Sequence, residues 1–293
     1  MKPKGGMGIR KSNSIPNGGF FIDIERTLVD LKYYLPYPGA IEFINYLYDR
    51  QIPFVLLTNN TRIPTDLLVE YLRDEGFKFD HYLDPLMVLT EELSSKNLRV
   101  YGHQTLKGYL INKGFKIDSK NPNQLVLGSK LYSNEELSEI IEYMLRGVRV
   151  IATNQSPLYL KNGKRYPGLG AILRMLKYAT QRGYRVIGKP SIHFFERARK
   201  LIGLPFDRIT FISDDLRGDL LPAKKLGMET VLVLTGKIKS SKEIVEKPDL
   251  IVPTIGDYFE KFKRVEEKNR PDRRGDFGVT ESETSNSPGD RGD

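Results

Sequence analysis

The sequence predicts an α/β fold built on a parallel sheet with crossover helices, and three observations predict it. Short, continuous apolar runs recur along the chain and alternate with stretches whose apolar residues fall at helical spacing. The runs lack polar alternation, the pattern of strands covered on both faces, as parallel strands are. Several of them also end abruptly in a polar cluster, and ligands of open α/β sheets bind at the carboxyl ends of the strands.

Taken in order, Phe20-Phe21-Ile22 is the first strand and delivers Asp23, with Glu25, Arg26 and Thr27 close behind. Beyond the turn Leu35–Gly39, residues Ile41, Ile44, Leu47 and Tyr48 mark a helix over 40–50. The second strand, Ile52–Leu57, releases Thr58-Asn59-Asn60-Thr61, and a helix over 64–75 closes at Gly76. From about Leu86 to Tyr184 the rhythm restarts. Strands are expected at 98–101, 124–127 and 148–152, and helices at 104–113, 134–146 and 171–182, the middle one N-capped by Ser133. Thr153-Asn154 ends the third of these strands, and Arg165–Gly170 forms a Gly-rich turn. A segment with its own strands and helices predicts an inserted domain, and such insertions often act as lids over active sites.

Tyr184–Ile187 is then a short strand leading to Gly188-Lys189-Pro190-Ser191, and a helix covers 192–202. Ile209–Ile212 is a buried strand that releases Ser213-Asp214-Asp215 and, after a turn, Asp219. Thr230–Leu234 is the last clear strand, followed by Thr235-Gly236-Lys237. The organisation is a flexible N-terminus (1–17), a discontinuous Rossmann-like core (18–85 and 185–263), an inserted α/β domain (86–184) and a tail (264–293). The tail is too poor in large apolar residues to offset its ordering entropy and is expected to be disordered.

Composition removes several classes of function. With no cysteine there is no disulfide framework, thiolate zinc site or cysteine nucleophile. No apolar run reaches the roughly 18 residues that span a bilayer, and the basic N-terminus lacks the apolar segment of a secretory signal, so a cytoplasmic location is expected. The net charge of +9 raises nucleic acid as a partner. Its lysines and arginines are scattered, however, and do not alternate with aromatics, so nucleic acid is not expected and a small anionic substrate suits the charge better.

Each polar cluster taken singly is equally well a helix-capping turn. Together they run in a fixed order after buried strands: an acid pair (Asp23, Glu25), Thr58-Asn59, Lys189, and a second acid cluster (Asp214, Asp215, Asp219). A carboxylate nucleophile, donors to phosphate oxygens, a cation and a hard-cation cage are the parts needed for phosphoryl transfer to an aspartate.

This order resembles the haloacid dehalogenase-like (HAD) superfamily, and more closely its NagD, p-nitrophenylphosphatase and phosphoglycolate phosphatase branch. The resemblance rests on FFIDIERTLVD, LLTNNT, VIGKPS and ISDDLRGDLLPAKKLGMETVLVLTGK, with VIATNQ and RYPGLGA in the place of the branch's large α/β cap. It implies a Mg²⁺-dependent phosphatase of small phosphorylated metabolites, with a cap that often mediates homodimers. Asp23 is then the nucleophile and Glu25 the general acid and base. Magnesium is held by Asp23, Asp214 and the backbone carbonyl of Glu25. Thr58, Asn59 and Asn60 bind phosphate, Lys189 offsets its charge, and Asp219, supported by Asp215, orients Lys189 or the metal waters. Asn154, Tyr166 and Gly168 match cap positions that face substrate.

The chain departs from the family pattern D-x-D-G-[TV] at two residues, Glu25 for the second Asp and Arg26 for the Gly. Milder changes are Ser213 for the usual Gly and Gln155-Ser156 for the usual Pro-Asp. The alternative that these departures imply is a HAD-fold protein that binds a phosphorylated ligand or partner without turning it over.

Overall fold

The structure, a computed structural model, describes residues 18–30 and 32–268. The chain begins β1 (Gly19–Asp23), α1 (Ala40–Asp49), β2 (Phe54–Leu57), α2 (Thr65–Asp74), β3 (Tyr82–Leu83) and α3 (Pro85–Glu92). It continues β4 (Leu98–Tyr101), α4 (Gln104–Asn112), β5 (Gln124–Leu127), α5 (Asn134–Leu145), β6 (Arg149–Ala152), β7 (Leu158–Lys161), β8 (Lys164–Pro167), α6 (Leu169–Thr180) and β9 (Tyr184–Val186). It ends α7 (Ile192–Ile202), β10 (Ile209–Ser213), α8 (Leu221–Lys225), β11 (Glu229–Val233), β12 (Leu250–Val252) and α9 (Ile255–Lys268).

Two parallel sheets result. The first has the order β12-β11-β10-β1-β2-β3 and the second β4-β5-β6-β9, while β7 and β8 form a separate antiparallel hairpin. This is the mixed α/β architecture with a Rossmann-like parallel core that the apolar runs predict. β1 lies in the middle of the first sheet and is buried throughout, which is why Phe20, Phe21 and Ile22 read as an unbroken apolar run. The sheet reverses direction of growth at β1, with β2 on one side and β10 on the other. Their carboxyl ends, where Asp23, Thr58 and Asp214 emerge, therefore share the edge at which ligands of such sheets bind.

Packing fixes that edge. On one face of the first sheet the ring of Phe20 meets Phe43 (5.7 Å) and Phe262 (5.7 Å) edge-on, so α1 and α9 are clamped over β1. On the other face, one apolar cluster runs from Phe21, Val55 and Phe211 through Leu86 and Phe195 to Val100, Val126 and Ile151. The two sheets thus share a continuous core through α3 and α7. A third cluster joins the far face of the second sheet to α5 and α6. The capping box predicted for α5 is formed: Ser133 Oγ accepts from the Glu136 amide (3.2 Å), and Glu136 Oε2 accepts from the Ser133 amide (3.0 Å).

Three features differ from the sequence reading. The strand at 184–186, expected to begin the return to the core, pairs with β6 and is the edge strand of the second sheet, so the boundary at 184/185 falls inside β9. Its half-exposed residues and the Arg185–Glu92 ion pair (2.7 Å) suit an edge. The segment 264–268 belongs to α9 rather than to the tail. The expected flexible N-terminus (1–17) and the remainder of the tail (269–293) lie outside the described residues. Finally, β3, β12, α9, α3 and the β7–β8 hairpin have no counterpart in the sequence reading. Among the described residues, no helix is long and apolar enough to cross a membrane.

Candidate active site

Asp23 leaves β1 into a tight turn in which the amides of Leu28 and Val29 both reach back to the Ile24 carbonyl (2.9 and 3.1 Å). That turn places Thr27 under the nucleophile candidate. Its hydroxyl donates to Asp23 Oδ2 (3.1 Å) and accepts from the Asp214 amide (3.1 Å), tying the ends of β1 and β10 together. The other Asp23 oxygen accepts from Lys189 Nζ, and the same ammonium donates to Asp219 Oδ2 (2.8 Å). All three side chains are almost wholly buried.

Lys189 reaches this position from β9, in the second sheet, and not from a strand of the first. Asn59 holds it there by its backbone: Oδ1 accepts from the Lys189 amide (2.8 Å) and Nδ2 donates to its carbonyl (3.2 Å). Thr58 Oγ1 accepts from the Asn60 amide (2.9 Å), and Asn60 Oδ1 accepts from the amides of Arg62 and Ile63, shaping the loop after β2. Asp219 also accepts from Ser213 Oγ (2.8 Å), so the residue in place of the family's glycine supplies a donor.

One ammonium between two buried carboxylates leaves negative charge in excess. Burial, reinforced by Asp219 and Asp214 and only partly offset by Lys189, pushes the Asp23 carboxyl up to about 7. Burial moves Asp219 upward as well, and its Oδ1 has no hydrogen-bond partner among the described residues. Lys189 is driven the other way to burial's own effect, held firmly cationic by Asp219 and Asp23.

The second acid pair is met by cations of its own. Asp214 Oδ2 accepts from Arg26 Nε (2.8 Å) and from the Lys237 amide (3.0 Å). Arg26 has φ 65°, a left-handed backbone that favours glycine. Gly236 is required beside it, since a Cβ there would stand 1.8 Å from Asp214 Oδ2. Asp215 accepts from Lys237 Nζ, from Ser156 Oγ (2.9 Å) and from the Gly218 amide (2.8 Å). Burial, the largest influence, would raise its carboxyl, but the Lys237 charge together with the hydrogen bonds from Lys237, Gly218 and Ser156 outweighs it and holds the group below the usual carboxylate range. Glu25, also buried, accepts from Tyr34 Oη (2.8 Å).

A small cavity of about 60 Å³ is lined by Glu25, Arg26, Asn59, Asn60 and Arg62 from the first sheet's loops and by Ser129, Asn154 and Ser156 from the second's, while Asp23, Lys189 and Asp214 do not line it. Asn154 is set there by Ser129 Oγ (2.9 Å) and the Ser156 amide (3.2 Å). Neither Tyr166 nor Gly168 lines it. Tyr166 sits on β8, and Gly168 packs so closely on the 156–158 backbone that a Cβ would come within 2.3 Å of the Ser156 carbonyl. Sequence reasoning missed Thr27, Tyr34, Arg62, Ser156 and Lys237. Lys237 carried a signal, because it follows the strand end at Leu234 just as Asp214 follows Ile212.

Among the described residues, no three Asp, Glu or His side chains gather so as to hold a metal ion. Magnesium asks for less, one or two carboxylates with water and phosphate completing the shell. Asp23 and Asp214, joined through the Thr27 hydroxyl, provide that pair of hard oxygens. The excess negative charge and the unpartnered Asp219 Oδ1 also fit a divalent cation. Arg26 occupies the Asp214 oxygen that such a cation would need.

Comparison with known proteins agrees with this geometry. A haloacid dehalogenase-like hydrolase family model matches residues 20–116, and a second, HAD-hydrolase-like model matches 186–258. Ribonucleotide monophosphatase NagD of Escherichia coli is 27% identical over 230 residues, covering 75% of this chain and 90% of that protein. Among solved structures, a 4-nitrophenylphosphatase from Thermotoga maritima superposes with a TM-score of 0.69 at 25% identity, covering 85% of this chain and 98% of that one. A p-nitrophenyl phosphatase from Archaeoglobus fulgidus gives 0.69 at 26%, covering 83% and 98%. With Asp23 and the second acid cluster falling inside the two matched segments, the chain belongs to the haloacid dehalogenase-like hydrolases, in the branch of NagD and the p-nitrophenylphosphatases.

Proposed function

We propose that the chain hydrolyses small phosphate monoesters through an aspartyl-phosphate on Asp23. The observation that carries this reading is the single ammonium of Lys189, buried between Asp23 and Asp219 at the carboxyl edge of the sheet beside Asp214. The phosphatase names of the relatives support it.

In the first half-reaction an Asp23 oxygen attacks phosphorus as the ester P–O bond breaks, and protonated Glu25 gives its proton to the leaving oxygen. In the second, a water loses a proton to Glu25 and attacks phosphorus. The bond to Asp23 breaks, and inorganic phosphate leaves. Lys189 and the Thr58 hydroxyl meet the phosphoryl oxygens, while Asn59 acts through Lys189, whose backbone it holds. Tyr34 orients Glu25. Asp23, Asp214 and the Glu25 carbonyl would hold magnesium, which when bound neutralises charge on the phosphoryl oxygens. The second sheet and its hairpin serve as the cap, bringing Asn154 and Ser156 over the site.

The test is phosphate release from p-nitrophenyl phosphate and a panel of small esters in magnesium. The wild-type protein is expected to turn over, and Asp23→Asn to lose at least about 10³-fold, since the nucleophile is removed and not merely misplaced. Unchanged turnover in Asp23→Asn would overturn the mechanism.

A further inference from the structure

The small cavity lined by Glu25 shares Arg26, Arg62, Tyr159, Leu160 and Lys237 with a larger cleft of about 1000 Å³. Eight of the thirteen residues lining that cleft are Lys or Arg, and none is Asp or Glu. Three of the cations are occupied: Arg26 by Asp214, Lys237 by Asp215, and Arg165 by Glu243 (2.8 Å). Lys32, Arg62, Lys161, Lys164 and Lys239 have no carboxylate partner among the described residues.

The hairpin adds an independent observation. Its two-residue turn, Asn162-Gly163 with φ of 50° and 73°, fixes the register so that Lys161 and Lys164 are directly cross-strand partners. Like charges placed opposite one another on a two-stranded ribbon destabilise it. An anion lying between the hairpin and the loops of the first sheet would offset that repulsion.

We infer that the substrate carries a second phosphate, held in this cleft while the scissile one sits over Asp23. This rests on the phosphatase reading. A monophosphate's charge is met by the groups immediately around the small cavity, which leaves the positive charge of five cations without a negative counterpart among the described residues: Lys32 and Arg62 only face the rings of Tyr33 and Tyr159, and Lys239 donates only to the Thr235 carbonyl. A cleft of this volume is of the size that small ligands fill, which favours a bisphosphorylated metabolite over a nucleic-acid strand. The low-dielectric walls and single-sign charge concentrate such a ligand at the cleft.

The test pairs probes that differ by one phosphate: adenosine 3′,5′-bisphosphate against adenosine 5′-monophosphate, and ribose 1,5-bisphosphate against ribose 5-phosphate. Binding is read by calorimetry on Asp23→Asn, which holds the ligand without turnover, and kcat/KM is read on the wild-type protein. Each bisphosphate is expected to bind at least about tenfold more tightly than its monophosphate at low salt, with the preference shrinking as salt rises. Lys161→Ala with Lys164→Ala is expected to collapse that ratio to within about twofold. Lys32→Gln, on the opposite wall, reports the same loss should the hairpin variant fail to fold.

Equal affinities for the members of each pair, or a ratio untouched by these variants, would overturn the inference. So would tighter binding of a 5′-phosphorylated oligonucleotide than of either bisphosphate. Tenfold discrimination by a wild-type protein that releases no phosphate from any ester would keep the second anion site and remove the phosphatase reading instead.

Discussion

Arg26→Gly tests how this active site manages its charge. In the wild-type protein the guanidinium lies 2.8 Å from Asp214 Oδ2, with the carboxylate almost fully buried. Charge centres about 4 Å apart at an effective dielectric of about 20 attract by about 4 kcal/mol, which bounds what a metal must overcome to claim Asp214. The Lys237 amide stays on the same oxygen, and a displaced Arg26 can still interact with Glu25, so the working expectation is about half of that bound. Arg26→Gly should therefore tighten magnesium binding by about 10- to 100-fold. Without metal the same change removes a buried partner but relieves the left-handed backbone by about 1 kcal/mol, so the variant is expected to melt lower in chelator and recover in magnesium. Calorimetric titration of magnesium and paired thermal melts provide both readings. Equal magnesium affinity in the two proteins, with equal melting shifts, would refute the claim that Arg26 and the metal compete.

Two further perturbations probe what holds the edge together. Lys237→Met leaves Asp215 buried without its ammonium and is expected to cost about 3–5 kcal/mol at neutral pH, read by urea unfolding. Because the folded-state carboxyl of Asp215 is depressed, the stability it contributes is present above its unfolded value near 4 and is lost as pH falls below that. The gap between wild type and Lys237→Met should therefore narrow in acid, and a gap that widened would reverse the sign argued here. Phe43→Ala removes the ring on which Phe20, Tyr258, Phe259 and Phe262 converge, and about 3–5 kcal/mol of stability should go with it. A loss below about 1 kcal/mol would mean that α1 and α9 are not clamped through this ring.

The strand ends were legible in the sequence because a buried parallel strand announces itself by an unbroken apolar run, so the first polar residue after it marks the edge. Asp23, Thr58 and Asp214 follow that rule. Lys189 obeys it too, but the rule is silent about which sheet the strand joins, and β9 joined the second. The hairpin carries a signal, Asn162-Gly163, that the sequence reading leaves unused, and most of its second strand falls inside the expected Gly-rich turn Arg165–Gly170. Strands as short as β12 leave too little pattern to separate from loop. The identity of ion-pair partners was hidden for a different reason. Arg26 and Asp214 stand 188 residues apart, and Lys237 and Asp215 are joined only by the curvature of the loop after β11, so no local spacing relates them.

Those hidden pairings explain why Arg26 is tolerated at all. A left-handed arginine in place of glycine costs about 1 kcal/mol, and a side chain at the mouth of a phosphate site obstructs unless it is drawn aside. Here Asp214 draws it aside. The same carboxylate that would hold the metal offsets the strain, so the departure from the family pattern and the retention of Asp214 are one arrangement and not two. In the folded chain four buried aspartates at the edge have a cation from another segment: Lys189 for Asp23 and Asp219, Arg26 for Asp214, Lys237 for Asp215. The edge can therefore fold without a divalent ion, and the remaining deficit is concentrated on Asp23 and on the unpartnered oxygen of Asp219. That is where an added positive charge has the most to gain. Metal binding and Arg26 should accordingly be antagonists in affinity while both serve the same anionic edge.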